Sequence, residues 1–457
     1  MAKNAIYLLL LLALSVVLFV GGQFVGDWFR GSVALPEQVG GGRGVVKQRP
    51  KAATVALDHL PPELALQGMR AIRQDDGTTL FAHPQSPCWL EVPTTQEKTV
   101  AAVTGDDRGF VGPDACQPCH TERHEDFIHT AHYLASSLPS PDVMEGEFAG
   151  PQRRMRTNHP DLHFEMSERG GEYFQTVSFR ELEKEFRIDL VTGAGLVGQT
   201  HLFWQGDELF QHHVTYFTKS DRWVNSPGYV DGTAWYSRRV IPKCVQCHAT
   251  YLDWVEGTEN SYDPSSLIAG VTCERCHGPG REHVEFHRAN PGVEAPYAIV
   301  DPKELTTEQL NDLCAQCHFG SGALIAEPFS FQPGDRIADH WDIAPEKAGS
   351  KGGVHSSNQL QRMQKSRCFI ESKSLACIDC HNPHKNERGN LKLYSSRCIE
   401  CHVPNECGKH DELGDSIASN CIDCHMPREP DDHLSMQTSS DTDFPLLRDH
   451  YIRVQKE

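Results

Sequence analysis

The chain has 457 residues, and its 62 acidic against 43 basic side chains leave a formal net charge of -19. That surplus excludes a general nucleic-acid binder, because a polyanion would be repelled, and it suits either a simply solvated surface or a basic redox partner. Hydrophobic residues make up 39% and the mean hydropathy is -0.47, thin for a chain long enough for two or three ordinary domains.

Lys3 precedes an apolar run from Ala5 to Val20, which reaches the roughly 20 residues a bilayer needs once Gln23 is tolerated and Phe24 and Val25 are included. Residues 1–30 are therefore expected to form an uncleaved N-terminal membrane anchor, with a cleaved signal ending near Val20-Gly21-Gly22 as the alternative. Lys3 on the cytoplasmic side would put the rest of the chain outside, at the periplasmic face of the cytoplasmic membrane. Residues 31–110 read as a tether rich in glycine around Gly40 to Gly42, followed by a small irregular or β segment holding Cys88, most simply a buried small residue.

From residue 111 one pattern dominates. Cys-x-x-Cys-His occurs seven times, as Cys116, Cys119, His120; Cys244, Cys247, His248; Cys273, Cys276, His277; Cys314, Cys317, His318; Cys377, Cys380, His381; Cys398, Cys401, His402; and Cys421, Cys424, His425. Random placement of this chain's cysteines and histidines would give about 0.03 copies. Two thiols three positions apart lie on one side of a helical turn, where each can add to one vinyl group of a haem while the next histidine faces the iron. Zinc knuckles would close in pairs with four ligands, which an odd number of motifs does not allow, and a disulfide framework has no use for the histidine. The pattern therefore predicts seven covalently bound haem c groups, one per motif.

The first motif, in 111–150, stands apart from the other six, which crowd into 241–457. Between them, 151–240 holds a different kind of sequence: Phe174 to Phe179, Phe186 to Val191, Thr200 to Trp204 and Val214 to Phe217 are rich in β-branched and aromatic residues and separated by Gly170-Gly171, Gly193, Gly195 and Gly206-Asp207. These are strand and turn signals, predicting a small antiparallel β insertion at about 160–220. After 240, short helices are expected beside the motifs, as at 307–314 and 359–368. The predicted fold class is thus mainly α with little regular secondary structure, wrapped on stacked haems, with one small β insertion and an N-terminal transmembrane helix.

Eighteen histidines lie outside the motifs, enough to give every iron a second imidazole from a neighbouring segment. The candidates for that role are His132, His283, His355, His384, His433 and His450, with His124 or His129 as a seventh. If every iron carries two imidazoles, no metal position is open to substrate; an open position would be where chemistry happens.

Several strings are familiar in their order: Thr130-Ala131-His132, Asn225 to Tyr229, Cys244 to Thr250, Cys276 to Gly280 with His283, Arg367-Cys368-Phe369, Cys380 to His384 and Cys424 to Arg428. Over about 112–452 the chain resembles the bacterial multihaem cytochromes of the cytochrome c-552/4 type, also described as cytochrome c-554-like. The resemblance implies closely packed haems, mostly ligated by two histidines, and extracytoplasmic electron transfer. The lysine-ligated haem motif of the pentahaem nitrite reductases, Cys-x-x-Cys-Lys, does not occur. Cys368 and Cys407 are left over from haem attachment and would either bridge or stay as two free buried thiols. The expected function is an electron carrier serving redox partner proteins at the membrane. The alternatives are a terminal oxidoreductase of nitrogen or sulfur compounds working at one five-coordinate haem, and a docking subunit.

Overall fold

The computed structural model describes residues 108–180, 182–344, 353–431 and 434–455, together with the backbone of four short strands nearer the N-terminus. Those four, β1 (Ala53–Thr54), β2 (Arg70–Arg73), β3 (Thr79–Ala82) and β4 (Trp89–Val92), form an antiparallel ladder that β14 (Ala234–Trp235) extends in parallel.

The chain's centre is a β-sandwich. One sheet has four strands in sequence order: β6 (Arg154–Arg156), β7 (Leu162–Arg169), β8 (Glu172–Phe179) and β9 (Leu182–Arg187). The other has seven, in the order β21-β20-β13-β12-β11-β10-β5, where β5 is Ser136–Ser137, β10 Leu190–Thr192, β11 Gly198–Gln205, β12 Glu208–Phe217, β13 Arg222–Asn225, β20 Met436–Gln437 and β21 Thr442–Asp443. Strand β7 alternates cleanly, with Leu162, Phe164 and Met166 buried, as a strand with one wet face should. Strand β12 does not: His212 to Phe217 are all buried, because the sheet is covered on both sides. One face meets the smaller sheet through Phe164, Phe179, Phe186, Phe203, Val214 and Tyr236. Another apolar cluster joins Leu190, Leu202 and Leu209 to Val240, Val245, Leu252 and Phe329 of the motif-bearing segments.

The edges of the seven-stranded sheet come from far away in the chain. β5 follows the first motif and pairs with β10 through Val191 and Ser137, while β20 follows the last motif and pairs with β13 through Asn225 and Gln437. Two-stranded ladders complete the remainder: β15 (Ala249–Tyr251) with β16 (Ile268–Ala269), β17 (Gly322–Leu324) with β18 (Trp341–Ile343), and β19 (Arg428–Pro430) with β22 (Leu446–Arg448).

This corrects the expected fold class. The protein is not a mainly α wrap with one small β insertion; it has several antiparallel sheets, and the β region recruits strands from both flanking segments. Those added strands are short, with pairing set by distant partners, so no local periodicity announces them. The expected anchor at 1–30 lies outside the described residues. No helix among the described residues is long and apolar enough to cross a membrane.

Helices are short. Among the described residues Thr307–His318 is the longest at 12 residues, opened by a capping box in which Thr306 Oγ1 accepts from Gln309 N while Gln309 Oε1 accepts from Thr306 N. The helix expected at 359–368 is split into Gln359–Met363 and Arg367–Ser372.

Candidate haem centres

The motifs share a local shape. In four of them the histidine N–H closes a bond to the carbonyl of the first cysteine, at 3.0 Å each for His120 on Cys116, His381 on Cys377, His402 on Cys398 and His425 on Cys421. Such a turn presents both thiols on one side and swings the imidazole beneath them. The fourth motif occupies the last turn of Thr307–His318, and the third is itself the helix Cys273–His277.

The imidazoles are oriented by their inner nitrogen. Nδ1 of His248 donates to Ala135 O at 3.1 Å, that of His277 to Val300 O at 2.9 Å, that of His318 to Ser356 O at 2.6 Å and that of His425 to Arg453 O at 3.1 Å. A carbonyl can only accept, so Nδ1 holds the proton and Nε2 keeps its lone pair, the state a metal ligand needs.

Four motif histidines face a second imidazole. The ring centroids of His120 and His283 are 6.5 Å apart, those of His318 and His132 6.3 Å, those of His277 and His384 6.0 Å and those of His381 and His450 5.9 Å. Two metal–imidazole bonds of about 2 Å and two ring radii of about 1.1 Å put trans imidazole centroids about 6.3 Å apart. The pairs therefore fit an iron between them. Burial and the neighbouring imidazoles hold His132 and His450 down to about 4, so both rings are neutral at any ordinary pH, the form a metal ligand requires. His132 presents open surface although protein atoms ring it, as expected of a side chain lining a hollow that a flat macrocycle would fill.

The remaining sequence candidates fall elsewhere. His355 accepts a hydrogen bond at Nδ1 from Ser357 N at 3.0 Å and turns Nε2 toward Asp431, 3.7 Å away. His124 is buried beside Tyr133 with neither nitrogen hydrogen-bonded, His129 is exposed, and His433 lies outside the described residues. Among the described residues no second imidazole ring stands against His248, His402 or His425. Cys368 and Cys407 are free thiols, and Cys368 lies near the attachment cysteines Cys380 and Cys398; Cys88 is outside the described residues.

Sulfurs of different motifs meet. Cys116 lies beside Cys273, Cys247 beside Cys317 and Cys314 beside Cys377. Cys276 lies within electrostatic reach of Cys317, as Cys398 does of both Cys380 and Cys421.

Residues that the motif pattern did not flag hold this arrangement together. Glu274, inside the third motif, accepts from Val111 N at 2.9 Å, Gly112 N at 2.8 Å and Gly280 N at 2.8 Å, tying the first motif's approach to the third. Arg275 is buried against Phe329, and its Nη2 donates to Gln246 O of the second motif at 3.3 Å. Buried Asp449 takes two hydrogen bonds from Arg362, at 2.8 and 2.6 Å, immediately before His450. For Glu274 and Arg275 the only sequence signal was a charged residue between motif cysteines.

Residues 203–278, spanning the end of β11 through the third motif, match the family model described as cytochrome c554 and c-prime. The multiheme cytochrome MtrA of Shewanella baltica is 25% identical over 164 residues, 33% of this chain and 47% of that protein. Cytochrome c-552 of Bacteroides fragilis is 25% identical over 142 residues, 27% of this chain and 28% of the relative. The chain thus spans about half the length, or less, of these relatives. No solved structure matches it. The repeated attachment motif, the facing imidazoles and these similarities together make the chain similar, over those stretches, to multihaem c-type cytochromes.

Proposed function

We propose that the chain is an extracytoplasmic heptahaem electron carrier that passes electrons between redox partner proteins, with bis-histidine haems at the first, third, fourth and fifth motifs. The observation that carries this reading is the set of four facing imidazole pairs at iron-spanning separation. Haem supplies reversible one-electron chemistry at its iron, tuned by its ligands and surroundings. The polypeptide's part is to fix neighbours: His283 and His384 come from segments beyond their partners' motifs, and His132 reaches back to the fourth motif from the first.

The sulfur contacts give an order. The first motif touches the third, the third lies near the fourth, and the fourth touches both the second and the fifth; the fifth, sixth and seventh then follow in sequence. That is a line with the second site as a side branch, the layout of a wire. That haem c is attached outside the cytoplasm is what supports this location. The test is intact mass with electron paramagnetic resonance on one sample. Seven haem increments and a low-spin majority are expected; a colourless protein of bare polypeptide mass, or spectra dominated by high-spin iron, would refute it.

A terminal oxidoreductase at the second motif is the competing reading, favoured by His248, whose ring is fixed by Ala135 O without a second imidazole against it among the described residues. A high-spin signal that shifts on adding cyanide, hydroxylamine or nitrite would select it.

A further inference from the structure

The β-sandwich holds three histidines whose side chains are fully buried, His201, His212 and His213, and none belongs to a haem motif or faces one. His213 behaves as a packed core histidine should. Its Nε2 pairs with Asn225 Oδ1 at 3.0 Å, its Nδ1 accepts from Trp235 N at 2.9 Å, and its ring stacks on Phe164. His201 and His212 do not. Both nitrogens of His201 and Nδ1 of His212 are buried without a hydrogen-bond partner, an arrangement that ordinarily costs about 1–3 kcal/mol per group.

The geometry of the two rings is that of ligands. Nε2 of His212 donates to Arg187 O at 3.2 Å, which leaves the lone pair on Nδ1. The ring centroids of His201 and His212 are 6.4 Å apart, close to the separation that trans ligation of a single metal ion requires. Around them stand aromatic rings: Trp223 at 5.8 Å from His201, and Phe203 at 4.9 Å and Tyr236 at 6.0 Å from His212.

We propose that His201 and His212 bind one soft monovalent cation, Cu(I), in two-coordinate bis-imidazole ligation inside the sandwich. The donor set selects the ion. Structural zinc takes four ligands and calcium or magnesium takes oxygens, whereas among the described residues no cluster of three histidine, cysteine, aspartate or glutamate side chains is present. Two neutral imidazoles bring no negative charge, which suits a single positive charge better than a double one in an apolar box. The surrounding aromatic rings keep the site apolar, which suits a soft ion over a hard one. The site is independent of the haem reading, since its residues and the motifs are disjoint.

The experiment uses the full haem-loaded protein. Cu(I) is titrated anaerobically against a chromophoric chelator, with Ag(I) as a redox-silent second probe, and metal per chain is counted beside haem iron. Uptake of one ion with an X-ray absorption spectrum of two nitrogen neighbours is expected. His212→Leu should weaken binding by at least the roughly 100-fold that loss of an outer-sphere partner alone can cost. His201→Met, which keeps a soft donor, should retain the ion with one nitrogen and one sulfur, and His163→Leu on β7 should change nothing. Circular dichroism and haem absorbance verify that each variant is folded. No stoichiometric uptake, unchanged uptake in the His201→Leu/His212→Leu double variant, or a spectrum with three or more donors would overturn the proposal.

Discussion

Asp449→Asn is the sharpest perturbation the structure offers. Asp449 is fully buried and Arg362 nearly so, 5% exposed, and their two hydrogen bonds are supplemented by Tyr451 N at 2.9 Å and Arg453 Nη1 at 2.5 Å. The next residue, His450, faces His381, and the segment is held again where Ser366 Oγ donates to His450 O at 3.2 Å and accepts from Ile452 N at 2.8 Å. Removing the carboxylate charge breaks a buried ion pair with Arg362, a loss of about 3–5 kcal/mol. In a unit of this size that lowers Tm by about 5 °C. Slackening beside His450 should also turn the ferric centre at the fifth motif high-spin, read by electron paramagnetic resonance. Burial alone would raise the Asp449 carboxyl, but the hydrogen bonds from Arg362, Tyr451 N–H and Arg453 outweigh it and hold it below the usual carboxylate value of 3.8. Its folded value being depressed, its stabilisation is complete above that value and disappears as pH falls further, so wild type and variant should converge in strong acid. An Asn variant with unchanged Tm and an unchanged low-spin spectrum would refute this account of the clamp.

Three further outcomes are expected. Burial pushes His213 down to about 3, so its contribution is intact above about pH 6.5 and drains by about 1.4 kcal/mol per pH unit as the medium is acidified toward 3; His213→Gln should remove that slope from acid-unfolding curves. Glu274→Gln replaces a carboxylate that satisfies three backbone N–H groups with an amide, costing about 3 kcal/mol, and hydrogen exchange at Val111, Gly112 and Gly280 should accelerate. Gly270 has φ +74°, and a Cβ there would sit 2.1 Å from Tyr133 O, so Gly270→Ala should cost more than about 2 kcal/mol, whereas Gly206→Ala, with open space around it, should cost about 1 kcal/mol.

The attachment chemistry was legible because it is written in five consecutive residues. Its second half was legible only as a set of names. His132, His283, His384 and His450 could be nominated as imidazoles, but which motif each would face depends on how distant segments return: His132, twelve residues after His120, stands against His318 rather than His120. The runs at 174–179 and 214–217 read as strands from their composition, and they lie in β8 and β12. What could not be read was the sheet's extent. β5, β20 and β21 are two residues each, too short for any period, and β12 is buried on both faces, which erases the alternation that marks a half-exposed strand. Glu274 and Arg275 looked like ordinary polar filler between cysteines; only the tertiary contacts give them roles.

The seven-stranded sheet begins with residues that follow the first motif and finishes with residues that follow the last. Contacts of such long sequence separation form late. Until Met436 and Thr442 arrive, Asn225 lacks the carbonyl of Gln437, to which its amide donates at 3.0 Å, and one rim of the sheet stays unpaired. The sheet thus has a built-in last stitch: its far rim closes only with residues that lie beyond every motif in the chain.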